Sequence, residues 1–113
     1  MNWIDLKNET QLDEIQRESE QKTVLIFKHS TSCSISATAI HRLERSWKPQ
    51  EMDHVKAYYL DLLAHRNVSR RIADFYGVAH ESPQLLLIEK GACVYHASHL
   101  GISYPDIRKN ILQ

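Results

Sequence analysis

The chain carries two thiols, Cys33 and Cys93, and the first sits where thiol reactivity is made. Residues 23–28 are a β-branched and apolar run. His29, Ser30, Thr31 and Ser32 then form a polar connection, and helical spacing begins at Cys33. The first backbone N–H groups of a helix have no partner, and the helix dipole puts partial positive charge there. Both favour a thiolate over a thiol, and the thiolate is the nucleophile. Cys33 is therefore the candidate catalytic residue. Lys28 and His29, just upstream, are candidate supporting residues that would add positive charge. Ser36, three residues on, is a candidate hydroxyl donor to the sulfur. A cytosolic cysteine is more often a small buried apolar residue, but a polar run at a helix start speaks against that here.

Other chemistry-bearing residues carry weaker signals. Cys93 falls two residues after Gly91 in a hairpin and reads as structural filler. His96-x-x-His99 has a metal-like spacing, but strand residues three apart point to opposite faces, so no metal site is predicted. His99 is instead a candidate groove residue beside the sulfur. Ser82-Pro83 precedes an apolar run and must mark a turn at a strand start, because proline cannot donate inside a sheet. Locally that proline reads as an ordinary trans turn. Arg66, Arg70 and Arg71 read as a solvated helix face, and Trp3 and Trp47 as core or half-buried aromatics.

The elements that position these residues follow from periodicity. Trp3, Ile4 and Leu6 suggest an edge strand. Asn8 or Thr10 can cap a helix running to about Glu20, with Leu12 and Ile15 inward. Residues 23–28 suit a strand buried on both faces. Ser36, Ile40, Leu43 and Trp47 recur at helical spacing until Pro49 stops them. Residues 55–60 read as a second buried strand. Asn67 can cap a helix with Val68, Ile72 and Phe75 on one face, ended by Gly77. Residues 85–88 and 92–97 flank a hairpin turn at Glu89-Lys90-Gly91. Ser103 caps a last helix that tolerates Pro105 in its first turn and presents Ile107 and Ile111. The order β-α-β-α-β-α-β-β-α predicts an α/β fold, with parallel central strands joined by helices and an antiparallel hairpin at the end. Residues 1–113 read as one domain, since 113 residues leave no room for a second.

Composition excludes several function classes. Lys plus Arg and Asp plus Glu are 14 each, so net charge gives no argument for nucleic acid or an anionic membrane surface as a partner. The first twenty residues hold eight charges where a signal peptide would have an apolar core. The longest apolar runs are too short to span a bilayer. These features predict a cytoplasmic protein. In that reducing compartment two cysteines argue against a structural bridge, and they are too few for a cysteine zinc site.

Taken together, a strand, a cysteine at the next helix start, and a later Pro-strand-Gly-strand-helix resemble thioredoxins and glutaredoxins. More narrowly, Phe27-Lys28-His29-Ser30-Thr31-Ser32-Cys33-Ser34-Ile35-Ser36 with His80-Glu81-Ser82-Pro83-Gln84 resembles the YtxJ-like monothiol bacilliredoxins over nearly the whole chain. The resemblance implies a thioredoxin-like fold and a cis Ser82-Pro83 bond that packs beside the reactive sulfur, with Ser82 and Pro83 lining a substrate groove. It also implies thiol-disulfide exchange that removes bacillithiol, or a similar low-molecular-weight thiol, from mixed disulfides with proteins. Bacillithiol would be a co-substrate, with no cofactor tightly bound; thiol-modified proteins and the small thiol would be the partners. Residue 34 is Ser where the family commonly has Pro. Ser36 stands where a dithiol enzyme has its second cysteine, so Cys33 must be released by another thiol. Two further readings remain. Cys33-Ser34-Ile35-Ser36 is also similar to the Cys-Gly-Phe-Ser motif of monothiol glutaredoxins that carry an iron–sulfur cluster. The chain lacks both the Gly at 34 and the Gly-Gly-x-Asp segment of those proteins. The other reading is a non-enzymatic thioredoxin-fold adaptor in which Cys33 is only redox-sensitive.

Overall fold

The structure, a computed structural model, describes residues 1–111. Five strands, β1 (Ile4–Asp5), β2 (Thr23–His29), β3 (Val55–Asp61), β4 (Gln84–Glu89) and β5 (Ala92–Ser98), form one sheet in the order β1-β3-β2-β4-β5. Four helices, α1 (Thr10–Glu18), α2 (Ser34–Ser46), α3 (Arg66–Tyr76) and α4 (Tyr104–Lys109), cover it. β1 and β2 run parallel to β3, whereas β4 runs antiparallel to β2 and β5 antiparallel to β4. This is the α/β order that periodicity predicts. The central strand β2 is buried at all seven positions, as its unbroken apolar run requires.

Alternation along β2 sends its side chains into two cores. Val24 and Ile26 pack with Leu12 and Ile15 of α1 and with Val68 and Ile72 of α3. Leu25 and Phe27 pack on the other face with Ala39, Ile40 and Leu43 of α2 and with Ile107 of α4. Trp3 lies edge-on to Phe27 and Tyr59, and Trp47 to Tyr104, so both tryptophans serve packing.

Several boundaries differ from the sequence reading for local reasons. β2 runs one residue further, through His29, because its pairing with β3 continues to Asp61. His29 therefore belongs to the strand rather than to the polar connection. β3 is only partly buried along its length, because it is covered on its outer edge by the two-residue β1. α1 stops at Glu18, short of Glu20; Asn8 Oδ1 accepts from the Gln11 N–H at its start. α3 begins at Arg66 with His65 as its cap, while the Asn67 amide donates instead to Glu9. The buried stripe of α3 runs through Val68, Ser69 and Ile72. Tyr76 lies nearer its centre than Phe75, which is 45% exposed under the Arg71 guanidinium.

The expected ends of other elements are present. Gly77 terminates α3 in the left-handed region at φ 67°. Ser103 Oγ accepts from the Asp106 N–H, with Pro105 in the first turn of α4. Lys90 and Gly91, at φ 53° and 77°, make a two-residue hairpin turn whose twist matches the flanking strands. A 3-10 turn at His99–Gly101, which has no periodic signature, joins β5 to α4.

Candidate functional site

Cys33 is the N-cap of α2. Its backbone is extended, at φ −111° and ψ 120°, and its carbonyl accepts the first helical bond from Ala37 at 3.1 Å. A second bond, from Cys33 N–H to Ser30 C=O at 3.1 Å, folds the preceding loop against the strand end. A side chain at this position is the one that reaches the amides of the second and third helical residues, here Ile35 and Ser36. The sulfur has no capping bond, and the residue is partly exposed. The geometry thus offers a negative sulfur the donors and dipole end of a thirteen-residue helix.

Ser36 is fully buried, and its hydroxyl is held from behind. It accepts the Ser30 N–H at 3.0 Å and lies 2.6 Å from His29 Nδ1. The His29 ring rests against Tyr59 and Phe27, with centroids 5.6 and 6.3 Å away. Burial lowers its pKa from the ordinary 6.5, an effect partly opposed by Asp61. At neutral pH His29 is therefore an uncharged ring, which corrects the expectation that it adds positive charge.

Lys28 requires a similar correction. Strand alternation puts it on the face opposite His29, fully buried above the α3 core. Its ammonium donates to the Ser69 carbonyl at 3.2 Å and lies 3.4 Å from His80 Nδ1. Gln84, its neighbour across β4, donates to the Ala79 carbonyl. Lys28 and Gln84 thus tie down the segment that leads into Ser82-Pro83; they do not line the sulfur. Desolvation lowers the Lys28 pKa from 10.5 to about 8. The folded chain holds this proton less tightly than the unfolded one, so stability rises with pH between those two values. Lys28→Met, of similar length and without the charge, is expected to gain roughly 1–3 kcal/mol at pH 7. That gain should shrink as pH approaches 10.5. Urea unfolding of both proteins at pH 7 and pH 10 checks this, and parallel pH slopes would refute it.

The Ser82-Pro83 bond is cis, and Pro83 is buried. Gln84 pairs with Lys28, so Pro83 stands at the end of the sheet where β2 leaves His29 for Cys33. The Pro83 carbonyl accepts the His99 N–H at 3.0 Å, and the 3-10 turn carrying His99 packs against α2. Cys33, Ser36, His29, Ser82, Pro83 and His99 therefore gather at one end of the sheet. Cys93 does not join them. It sits on β5 opposite Ile88, which pairs with Val24 at the far end of β2. Five strand residues separate that level from His29, roughly 16 Å. The Cys93 thiol donates to the Tyr95 carbonyl, and burial raises its pKa.

Ser30, Asp61, Ser69, His80 and Gln84 complete the surroundings. Periodicity gives them no role, because each acts through a partner distant in sequence. Among the described residues no helix is long and apolar enough to cross a membrane.

Residues 4–107 match the family described as Monothiol bacilliredoxin BrxC. A solved structure described as a candidate oxidoreductase with a thioredoxin fold is 31% identical, with a TM-score of 0.81 over 95% of this chain and 91% of its own. Thioredoxin from Trypanosoma brucei brucei is 16% identical, with a TM-score of 0.73 over 96% of this chain and 87% of its own. Fasciola hepatica thioredoxin is 17% identical, with a TM-score of 0.68 over 93% and 92%. At such identities the two thioredoxins speak for the fold alone.

Proposed function

This chain belongs to the monothiol bacilliredoxin family, thiol oxidoreductases of thioredoxin fold, and we propose on that premise that Cys33 removes a low-molecular-weight thiol, bacillithiol, from mixed disulfides with cytoplasmic proteins. The observation that carries the reading is Cys33 as the N-cap of α2, partly exposed, with serine rather than cysteine one helical turn on. In the reaction the Cys33 thiolate attacks the bacillithiol sulfur of the mixed disulfide. A Cys33–bacillithiol bond forms, the old sulfur–sulfur bond breaks, and its electron pair leaves on the protein's cysteine. A second small thiol then attacks the new bond and carries the cap away as a disulfide, returning Cys33 as thiolate. No cofactor is needed, since the electrons come from that second thiol.

The surroundings support a protein as the first partner. Ser82 makes no backbone hydrogen bond to another described residue, so its N–H and C=O are open to an extended chain. Ile35 on α2 and Leu100 on the 3-10 turn are 45% and 67% exposed, which offers apolar grip around such a chain.

The test uses a protein whose single cysteine bears bacillithiol, mixed with an equal amount of this chain without reductant. Intact mass spectrometry is expected to find the cap transferred to Cys33 and the substrate returned as free thiol. A cap that stays on the substrate, or that lands on Cys93, would overturn the assignment.

A further inference from the structure

The Lys28 ammonium has no part in the exchange chemistry, yet it is fully buried against the segment that leads into Ser82-Pro83. It ends between α3 and that segment, 3.2 Å from the Ser69 carbonyl and 3.4 Å from His80 Nδ1. The Ser69 hydroxyl lies 3.1 Å from the same ring nitrogen. An ammonium has three hydrogens and no acceptor. It meets His80 Nδ1 favourably only where that nitrogen is bare, so the hydrogen of the neutral ring belongs on Nε2. Elsewhere the segment is held through its backbone. Gln84 Nε2 donates to the Ala79 carbonyl at 3.0 Å, and the His99 N–H to the Pro83 carbonyl at 3.0 Å. His80 supplies a side-chain anchor between those two points, just before Glu81 and Ser82.

We propose, resting on the reading that a substrate chain pairs with the Ser82 backbone, that His80 is a positioning residue. Its bare Nδ1, docked on the Lys28 ammonium, fixes the segment that presents Ser82, and protonation of the ring in acid releases that segment. A protonated imidazole carries hydrogen on both nitrogens. Nδ1 would then turn a hydrogen and a positive charge toward the ammonium, and like charges at such a distance repel. Lys28 cannot withdraw, because its strand is paired on both sides, with Leu60 and with Gln84. His80 can, since the residue is exposed. The charged groups that face the ring are Lys28 from β2 and Glu81 from its own segment; α3 contributes the uncharged Ser69. Burial and Lys28 weaken the hold of the ring on a proton, and Glu81 strengthens it, for a net lowering below 6.5. The anchor therefore holds at neutral pH and fails below that value. It survives the loss of the Lys28 proton near pH 8, because a neutral amine still has hydrogens to donate.

The first experiment follows the His80 ring nitrogens and the Glu81 and Ser82 amides of nitrogen-15-labelled protein by NMR as pH falls from neutral. At neutral pH the ring is expected to show a bare Nδ1 and hydrogen on Nε2. The two amides should shift with the same midpoint as the ring, below 6.5. Lys28→Met removes the facing charge, so the His80 midpoint should rise by about half a unit or more. The second experiment measures KM for cap transfer from the bacillithiol-bearing test protein, with thermal unfolding to verify that each variant is folded. His80→Leu has no acceptor for Lys28, so its KM at pH 7 should be roughly five- to tenfold above wild type, the weight of one hydrogen bond to a charged group. His80→Asn places an amide oxygen near the Nδ1 position and does not titrate, so its KM at pH 7 should lie within about twofold of wild type. The ratio of wild-type KM to that of His80→Asn, in which the titration of Cys33 cancels, should climb as pH falls through the His80 midpoint. Hydrogen on Nδ1 at neutral pH, an unchanged midpoint in folded Lys28→Met, or wild-type KM in folded His80→Leu would each overturn the proposal. The NMR signals read the anchor whether or not exchange occurs. Absence of cap transfer by the wild-type protein would instead count against the proposed function.

Discussion

Cys33→Ser is expected to bring removal of a bacillithiol cap from a test protein down to the uncatalysed background, a loss of at least ~10³-fold, because exchange proceeds only through an attacking thiolate. The variant should nonetheless fold. Cys33 has the extended backbone of an N-cap, and serine is among the best residues there. Its melting temperature should therefore equal or exceed that of the wild type, which separates lost chemistry from lost structure. Cys93→Ser provides the contrast. Its thiol is half-buried, donates to the Tyr95 carbonyl and is pushed up in pKa by burial. It lies at the opposite end of the sheet, too far for a disulfide, which needs Cα atoms within about 7 Å. Cap removal by Cys93→Ser should stay within about twofold of wild type. The readout is the rate of free-thiol appearance on the test protein. A folded Cys93→Ser variant that has lost activity would refute the division of labour between the two cysteines.

How much of this was legible beforehand depended on whether the signal was local. β2 could be read from its unbroken apolar run, and α2 from Ile40, Leu43 and the polar start at Cys33, because burial on both faces or on one stripe imprints a period. The Lys90-Gly91 turn and the Ser103 cap were legible for the same reason, since each answers a backbone need with a specific residue. The two residues before the loop were harder. Lys28 and His29 are adjacent in sequence and look like one basic pair. A strand separates them onto opposite faces, one against α3 and the other beneath α2. Burial then turns both away from the role of extra charge. Lys28 is spent on Ser69 and His80, and His29 is neutral. The cis geometry of Ser82-Pro83 could not be read from those two residues, where trans is the ordinary reading; it followed only from the family pattern. The 3-10 turn at His99–Gly101 was illegible because three residues carry no period.

The identity of residue 36 should decide whether the cap is stored or expelled. Ser36→Cys is expected to convert the site from a monothiol to a dithiol. The N-cap and the third helical residue lie within one turn, a separation that places Cβ atoms about 5–6 Å apart and lets a disulfide close with modest adjustment. Once Cys33 has taken the cap, a thiol at position 36 would attack the Cys33 sulfur. The bond to the small thiol would break, its electron pair would leave on that thiol, and an internal disulfide between Cys33 and the introduced thiol would remain. Because this attack is intramolecular, it should outrun release by an external thiol at millimolar concentration by orders of magnitude. The substitution also has a structural cost. Sulfur is a poor partner for the Ser30 N–H and for His29, both of which Ser36 now engages while fully buried. About 1–2 kcal/mol of stability should be lost. After exposure to the oxidised small thiol, wild-type protein should gain the mass of one cap. Ser36→Cys should show no cap and a mass lower by two hydrogens, and its regeneration should require a dithiol reductant. A folded variant that keeps the cap as stably as wild type would mean that residue 36 does not face the sulfur. It would also mean that serine at this position is not what makes the site a monothiol.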